Sequence, residues 1–296
     1  MLEMIRIKYL KWIVPCLAAG SALLYTLCIL YSFDSEIGYF NPSPLLVATR
    51  IVFGLSLVVP LFFVIAAKDV KEYPTTYDPS AVALRRYDRK LAAFPVLGFL
   101  VCGSGLLIPY TSAINAVCAV LCLCGIVFFA QMLGTKMSAL WGLPIVVFCL
   151  IRMYAVYTNF RIPLNSPLKE SVLYGLLSIL LVVLAEMQCM TSEGKPRYWF
   201  FSMSIVSSVG ASAGIPFLIY YIRQEEITSS LAVQAFLSLT MAGYCIYRLT
   251  SVLRPRPADS ADPTEPADTE TETAADDSEE PSGQESQEST DRGQIQ

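Results

Sequence analysis

The sequence predicts an all-α fold: a polytopic bundle of about eight transmembrane helices followed by a disordered acidic C-terminal tail. Three observations predict it. Residues 9–248 divide into eight apolar stretches, each near the length of a bilayer crossing. The links between them alternate between rich and poor in Lys and Arg. After Arg254 the composition switches abruptly to acidic and polar residues.

A hydrocarbon core about 30 Å thick takes about 20 residues of helix at 1.5 Å rise each. The stretches that meet this length are 10–31, 44–67, 91–109, 114–133, 140–160, 170–190, 199–222 and 227–248. They are continuous apolar runs without period-2 alternation. In lipid, where every backbone group needs an internal partner, such runs are helices. The first stretch carries small residues at Ala18-Ala19-Gly20-Ser21-Ala22, as a cleavable signal does. Its apolar run is longer than a usual signal core, so a retained helix is expected. The third and fourth stretches are joined by a very short link, Pro109 to Ala113.

Orientation follows from the basic residues beside each stretch. One side holds Arg6, Lys8, Lys11, Lys68, Lys71, Arg85, Arg86, Arg89, Lys90, Lys136, Lys195, Arg197, Arg248, Arg254 and Arg256. The other holds only Arg161, Lys169 and Arg223. Fifteen against three predicts that both termini are cytoplasmic. Trp12, Tyr198, Trp199 and Tyr247 then fall at the inner edge, and Tyr31, Tyr39, Tyr157, Tyr220 and Tyr221 at the outer edge.

Two cytoplasmic segments differ in sign. In the 68–90 link, Asp78-Pro79 reads as a helix N-cap with proline at the first helical position. A helix over 79–90 should continue into the third span, kinked near Pro95. Arg85, Arg86, Arg89 and Lys90 would lie at headgroup depth and contact anionic membrane lipids or a protein partner at the cytoplasmic face. Each such residue is worth about 1 kcal/mol against an anionic surface. Residues 255–296 carry thirteen acidic residues against Arg256 and Arg292. A segment so poor in large apolar residues cannot offset its ordering entropy, so a disordered, self-repelling tail is expected. The whole-chain charge of −4 hides these opposite halves.

Several chemistries are excluded or disfavoured. The chain has no histidine, which removes His-based acid–base catalysis, Ser-His and Cys-His nucleophile pairs and HExxH zinc sites. No Asp lies within a span, and neither a phosphate-binding glycine-lysine loop nor a dinucleotide fingerprint is present. All nine cysteines fall inside spans without a CxxC pair, which reads as inert buried thiols. The expectation is a non-enzyme with no metal, no cofactor and no nucleic-acid partner.

Charged residues inside spans are costly and raise a functional hypothesis by default. Arg50 lies in the outer half of the second span, Arg152 just outward of the middle of the fifth, and Glu186 in the inner half of the sixth. Glu186 is the one candidate for proton coupling, and it lies roughly 12 Å in depth from Arg152. The acids Asp34, Glu36, Glu170, Glu225 and Glu226 sit at the outer edge. The two arginines therefore either snorkel toward those acids or line a polar cavity whose counter-charge is an anionic ligand. Asn115, Tyr154, Tyr157 and Gln234 are candidates to join such a site.

The seventh span is built of small residues: Ser207, Ser208, Gly210, Ala211, Ser212 and Gly214, with Pro216 following. Gly210-xxx-Gly214 reads first as close helix packing. The alternative is a broken helix whose backbone lines a substrate site. Two functions follow as expectations. One is a transporter-like or permease-like protein that binds or moves a small anionic or zwitterionic solute through Arg50, Arg152 and the Gly210–Pro216 segment. The other is a non-catalytic subunit, scaffold or sensor acting through the 79–90 helix and the tail.

Overall fold

The helices form where the apolar runs place them. The computed structural model describes residues 6–34, 37–72, 82–108, 112–131, 138–159, 163, 166–191, 195–224 and 229–253, with the backbone alone for 71–72 and 82–91. In chain order the elements are α1 (Leu10–Tyr31), β1 (Phe33–Asp34), β2 (Tyr39–Phe40), α2 (Pro44–Ala66), α3 (Val82–Leu107), α4 (Ala113–Ala130), α5 (Leu143–Tyr157), α6 (Pro167–Thr191), α7 (Pro196–Arg223) and α8 (Ser230–Val252). Among the described residues, seven helices are long and apolar enough to cross a membrane. The eighth apolar run, in α3, is the shorter Ala92–Leu107. The third span thus continues a helix that starts at Val82 and passes through Pro95 without a break. Pro79 and the tail, 255–296, lie outside the described residues.

Side chains begin several helices. The Ser43, Ser112 and Ser229 hydroxyls accept hydrogen bonds from the amides of Leu46, Asn115 and Ala232. Each satisfies a first-turn donor that the helix cannot pair internally. Pro44 follows Ser43 at the first helical position, where its missing N–H costs nothing. At the opposite end of the bundle the Ile7 amide donates to both carboxylate oxygens of Asp69, at 3.1 and 3.2 Å, tying the chain before α1 to the chain after α2.

α7 is the hub of the packing. It touches α1, α2, α6 and α8, while α3 joins α8 to α4, and α5 bridges α4 and α6. Of the apolar stretch of α7, 67% is buried inside the protein, against 17% for α2. The small residues of α7 explain its position. A Cβ on Gly214 would lie 2.8 Å from the Leu239 amide nitrogen, and one on Gly210 would lie 2.7 Å from the Ser238 carbonyl oxygen. Backbone approaches this close are what glycine at four-residue spacing allows.

The hairpin was not foreseen. Its two-residue strands pair antiparallel, Phe33 with Phe40 and Asp34 with Tyr39. Gly38 turns the chain in a left-handed conformation, φ 76°, which only glycine adopts at no steric cost. The Asn41 amide donates to the Ser32 carbonyl at 2.7 Å, and the Ser166 hydroxyl donates to the Gly38 carbonyl at 3.0 Å. The hairpin is thereby fastened to α1, to the start of α2 and to the segment just before α6.

Candidate functional site

Beneath the hairpin lies a cavity of about 470 Å³, a size typical of small-molecule sites. Its walls come from α1 (Tyr25, Cys28), α2 (Thr49, Arg50, Phe53) and α6 (Glu170, Ser171, Tyr174). Its roof is Tyr39 and Phe40, and its floor is Val209, Ser212 and Ala213 of α7. The floor lies roughly 20 Å along α7 from the end of that helix at Arg223. The cavity therefore reaches the middle of the hub helix.

Two opposite charges face this space. Arg50 and Glu170 both line it, and among the described residues neither has an ion-pair partner within 4 Å. The phenols of Tyr25, Tyr39 and Tyr174 and the hydroxyls of Ser171 and Ser212 add hydrogen-bonding groups. Tyr25 and Phe40 meet edge to face with centroids 5.8 Å apart, and Tyr25 is also 5.8 Å from Phe217. This aromatic corner beside a carboxylate presents ring faces of the kind that attract a cation.

Buried hydroxyls continue below the cavity. Ser212 donates to the Ser208 carbonyl at 2.8 Å, so Ser21 is the donor in its 2.7 Å hydrogen bond to Ser212. Thr49 donates to the Leu45 carbonyl at 2.8 Å and accepts from the Cys28 thiol at 3.1 Å. Ser208 donates across to the Ser56 carbonyl at 3.4 Å. The Ser21–Ser212, Cys28–Thr49 and Ser208–Ser56 bonds join α1 or α7 to a neighbouring helix, and a buried hydroxyl without a partner would be costly.

The structure separates the two arginines that the sequence reading joined. Arg152 is buried among α4, α5 and the thiols of Cys118, Cys102 and Cys122. Its Nη1 donates to Asn115 Oδ1 at 2.9 Å, while its Nε has no hydrogen-bond partner among the described residues. α5 packs on α4 and α6 and shares no extended contact with α2 or α7. The expected meeting of α2, α5 and α7 is therefore corrected: α2 and α7 share the cavity, and α5 stands apart. Tyr154 and Tyr157, grouped with the arginines by depth, are 70% and 58% exposed on the outside of the bundle. Gln234 is buried, and its amide donates to the Ser230 carbonyl within its own helix.

Glu186 finds its partners on α8. It does not reach toward Arg152. The Tyr244 hydroxyl donates to Glu186 Oε1 at 2.9 Å, and Arg248 Nε lies 3.8 Å from the same oxygen. The Arg248 guanidinium in turn stands 5.8 Å over the Trp199 ring. This buried cluster ties α6, α7 and α8 together, so the carboxylate picked out for proton coupling is engaged in an ion pair. From hydropathy alone the last span ends at Arg248, which puts that residue among the flanking basic ones; α8 runs on to Val252.

Lys169 is another buried cation that the reading left at the edge. It is fully buried, donates to the Asn159 carbonyl at 3.0 Å and lies 5.8 Å from the Tyr157 ring centre. Of the α7 candidates, Ser212 reaches the cavity, whereas Gly210 and Gly214 face α8. α7 is one unbroken helix over this segment, so the broken-helix alternative gives way to close packing. Arg85, Arg86, Arg89 and Lys90 fall in the first turns of α3.

By length and composition of its helices, the chain is a helical membrane protein with a charged cavity at one end of the bundle. It matches no protein-family model, and no curated protein or solved structure proves similar to it.

Proposed function

We propose that this is a multi-pass protein of a cell membrane, with eight crossings and both termini in the cytoplasm, that binds and moves a small anionic or zwitterionic solute. The solute occupies the cavity under the hairpin, at the outer end of the bundle. The carrying observation is that Arg50 and Glu170 line one cavity without pairing to each other. An unpaired charge at membrane depth is expensive, and a ligand bearing the complementary groups offsets that cost. The floor on α7 supports a transport reading, since solute sites of transporters lie near the bilayer midplane. The fifteen-to-three basic asymmetry supports the orientation. Arg152 serves this function as a structural group rather than as a ligand contact, being held by Asn115 away from the cavity.

A thermal-stability screen of the purified protein against small carboxylates, phosphates and zwitterions tests the reading. The expected result is stabilisation by at least one class, lost in Arg50→Gln and retained in Asn115→Ala. Indifference of the wild-type protein to every class would overturn it.

A further inference from the structure

Resting on the reading just given, we propose that the ligand is an amphiphile: a zwitterionic headgroup seats in the cavity and its apolar tail leaves sideways between α2 and α6. Four observations lead there. First, the hairpin covers the cavity at its end. Tyr39 and Phe40 roof it, and the hairpin that carries them is fastened to the segment before α6 by the Ser166–Gly38 hydrogen bond of 3.0 Å. A water-soluble solute arriving along the bundle axis meets this roof.

Second, the cavity is open on its flank. α2 and α6 both pack on α7 but share no extended contact with each other. Arg50, two turns into α2, is exposed, and Tyr174, two turns into α6, is 51% exposed although both line the cavity. Third, the surfaces on either side of the gap are apolar: Val47, Ile51 and Leu55 on α2 and Leu177 on α6 are exposed large hydrophobic residues. In a membrane these positions face acyl chains, so a tail passing between the helices stays in an apolar medium while the headgroup turns inward.

Fourth, the charges sort the headgroup. Arg50 offers a fork of donors to a phosphate or carboxylate. Glu170 with the Tyr25–Phe40 corner offers a carboxylate and ring faces to an ammonium group. One cation and one anion in the lining select a group that carries one of each, and disfavour a purely anionic headgroup, which would meet Glu170. The cavity volume of about 470 Å³ holds a headgroup and leaves the tail outside.

The test uses the full chain in lipid nanodiscs and a lysophosphatidylcholine bearing a photoreactive group at the end of its acyl chain. Cross-links mapped by mass spectrometry should fall on α2 and α6. Unlabelled lysophosphatidylcholine should compete, whereas glycerophosphocholine, which has the headgroup without the tail, should not. Arg50→Gln and Glu170→Gln should each lower labelling by about tenfold or more, the loss expected for one charged hydrogen-bond partner. Arg50→Lys, which keeps the charge and controls for misfolding, should retain most of it. Equal competition by glycerophosphocholine would overturn the amphiphile while leaving the zwitterion cavity standing. Full competition by lysophosphatidic acid, with labelling indifferent to Glu170→Gln, would overturn the zwitterionic headgroup. Labelling spread over all helices and insensitive to both substitutions would overturn this inference and the cavity reading together.

Discussion

Arg152 on α5 and Asn115 on α4 meet at 2.9 Å, Nη1 to Oδ1, and no carboxylate joins them among the described residues. A buried guanidinium is thus held by a neutral amide. That bond is assisted by the charge of its donor alone, and an ionised acceptor at the same distance adds direct Coulomb attraction. Asn115→Asp, nearly isosteric, should therefore raise the melting temperature of the purified protein, and Asn115→Ala should lower it. A lower melting temperature for Asn115→Asp would show that the Arg152 charge is already balanced from elsewhere.

The Glu186–Arg248 pair behaves in the opposite way. Its side chains are 0% and 6% exposed, so removing one charge strands the other. Glu186→Gln and Arg248→Gln should each cost about 3–5 kcal/mol, the range for breaking a buried pair. The double Gln variant should cost less than the two singles added together. A denaturant titration of the four proteins measures the coupling, and strict additivity would mean that the two charges do not sense each other.

Glycines in this bundle divide by what surrounds them. Gly214→Ala drives a methyl group against the Leu239 backbone and should destabilise by about 1–3 kcal/mol. Gly54 has nothing within 4 Å of where its Cβ would stand, so Gly54→Ala should be neutral or stabilise by up to about 1 kcal/mol. Unfolding curves for the two variants should therefore move in different directions or differ at least in size.

The proposed orientation has a direct readout. A membrane-impermeant maleimide applied to intact cells should label Ile37→Cys, whose parent side chain is 61% exposed on the hairpin. It should leave Ser260→Cys in the tail untouched until the membrane is permeabilised. The reverse pattern would invert the orientation.

Hydropathy made the helices readable because crossing length is a one-dimensional property. The span 10–31 coincides with α1, and 170–190 lies inside α6. Depth is one-dimensional too, and by depth alone Arg152 groups with Arg50. Which helices are neighbours is not encoded in depth. Arg248 is the instructive case. It lies at a level where both flank and span are plausible, and only the position of Tyr244 one turn earlier, on the face toward Glu186, distinguishes the two. The hairpin escaped because two-residue strands leave no periodic signal, though Gly38 with the aromatics Tyr39 and Phe40 is the trace a turn over a cavity would leave.

The thin burial of α2 sets how this site can move. With 17% of its apolar stretch inside the protein, against 67% for α7, α2 is the least covered of the seven crossing-length helices among the described residues. It also carries Arg50, so on the transport reading proposed above an outward swing would widen the gap and withdraw the cation in one motion. α2 is then the door leaf and α7 the fixed jamb. The Ser43 cap and the Ile7–Asp69 tie at its two ends would set where such a door pivots.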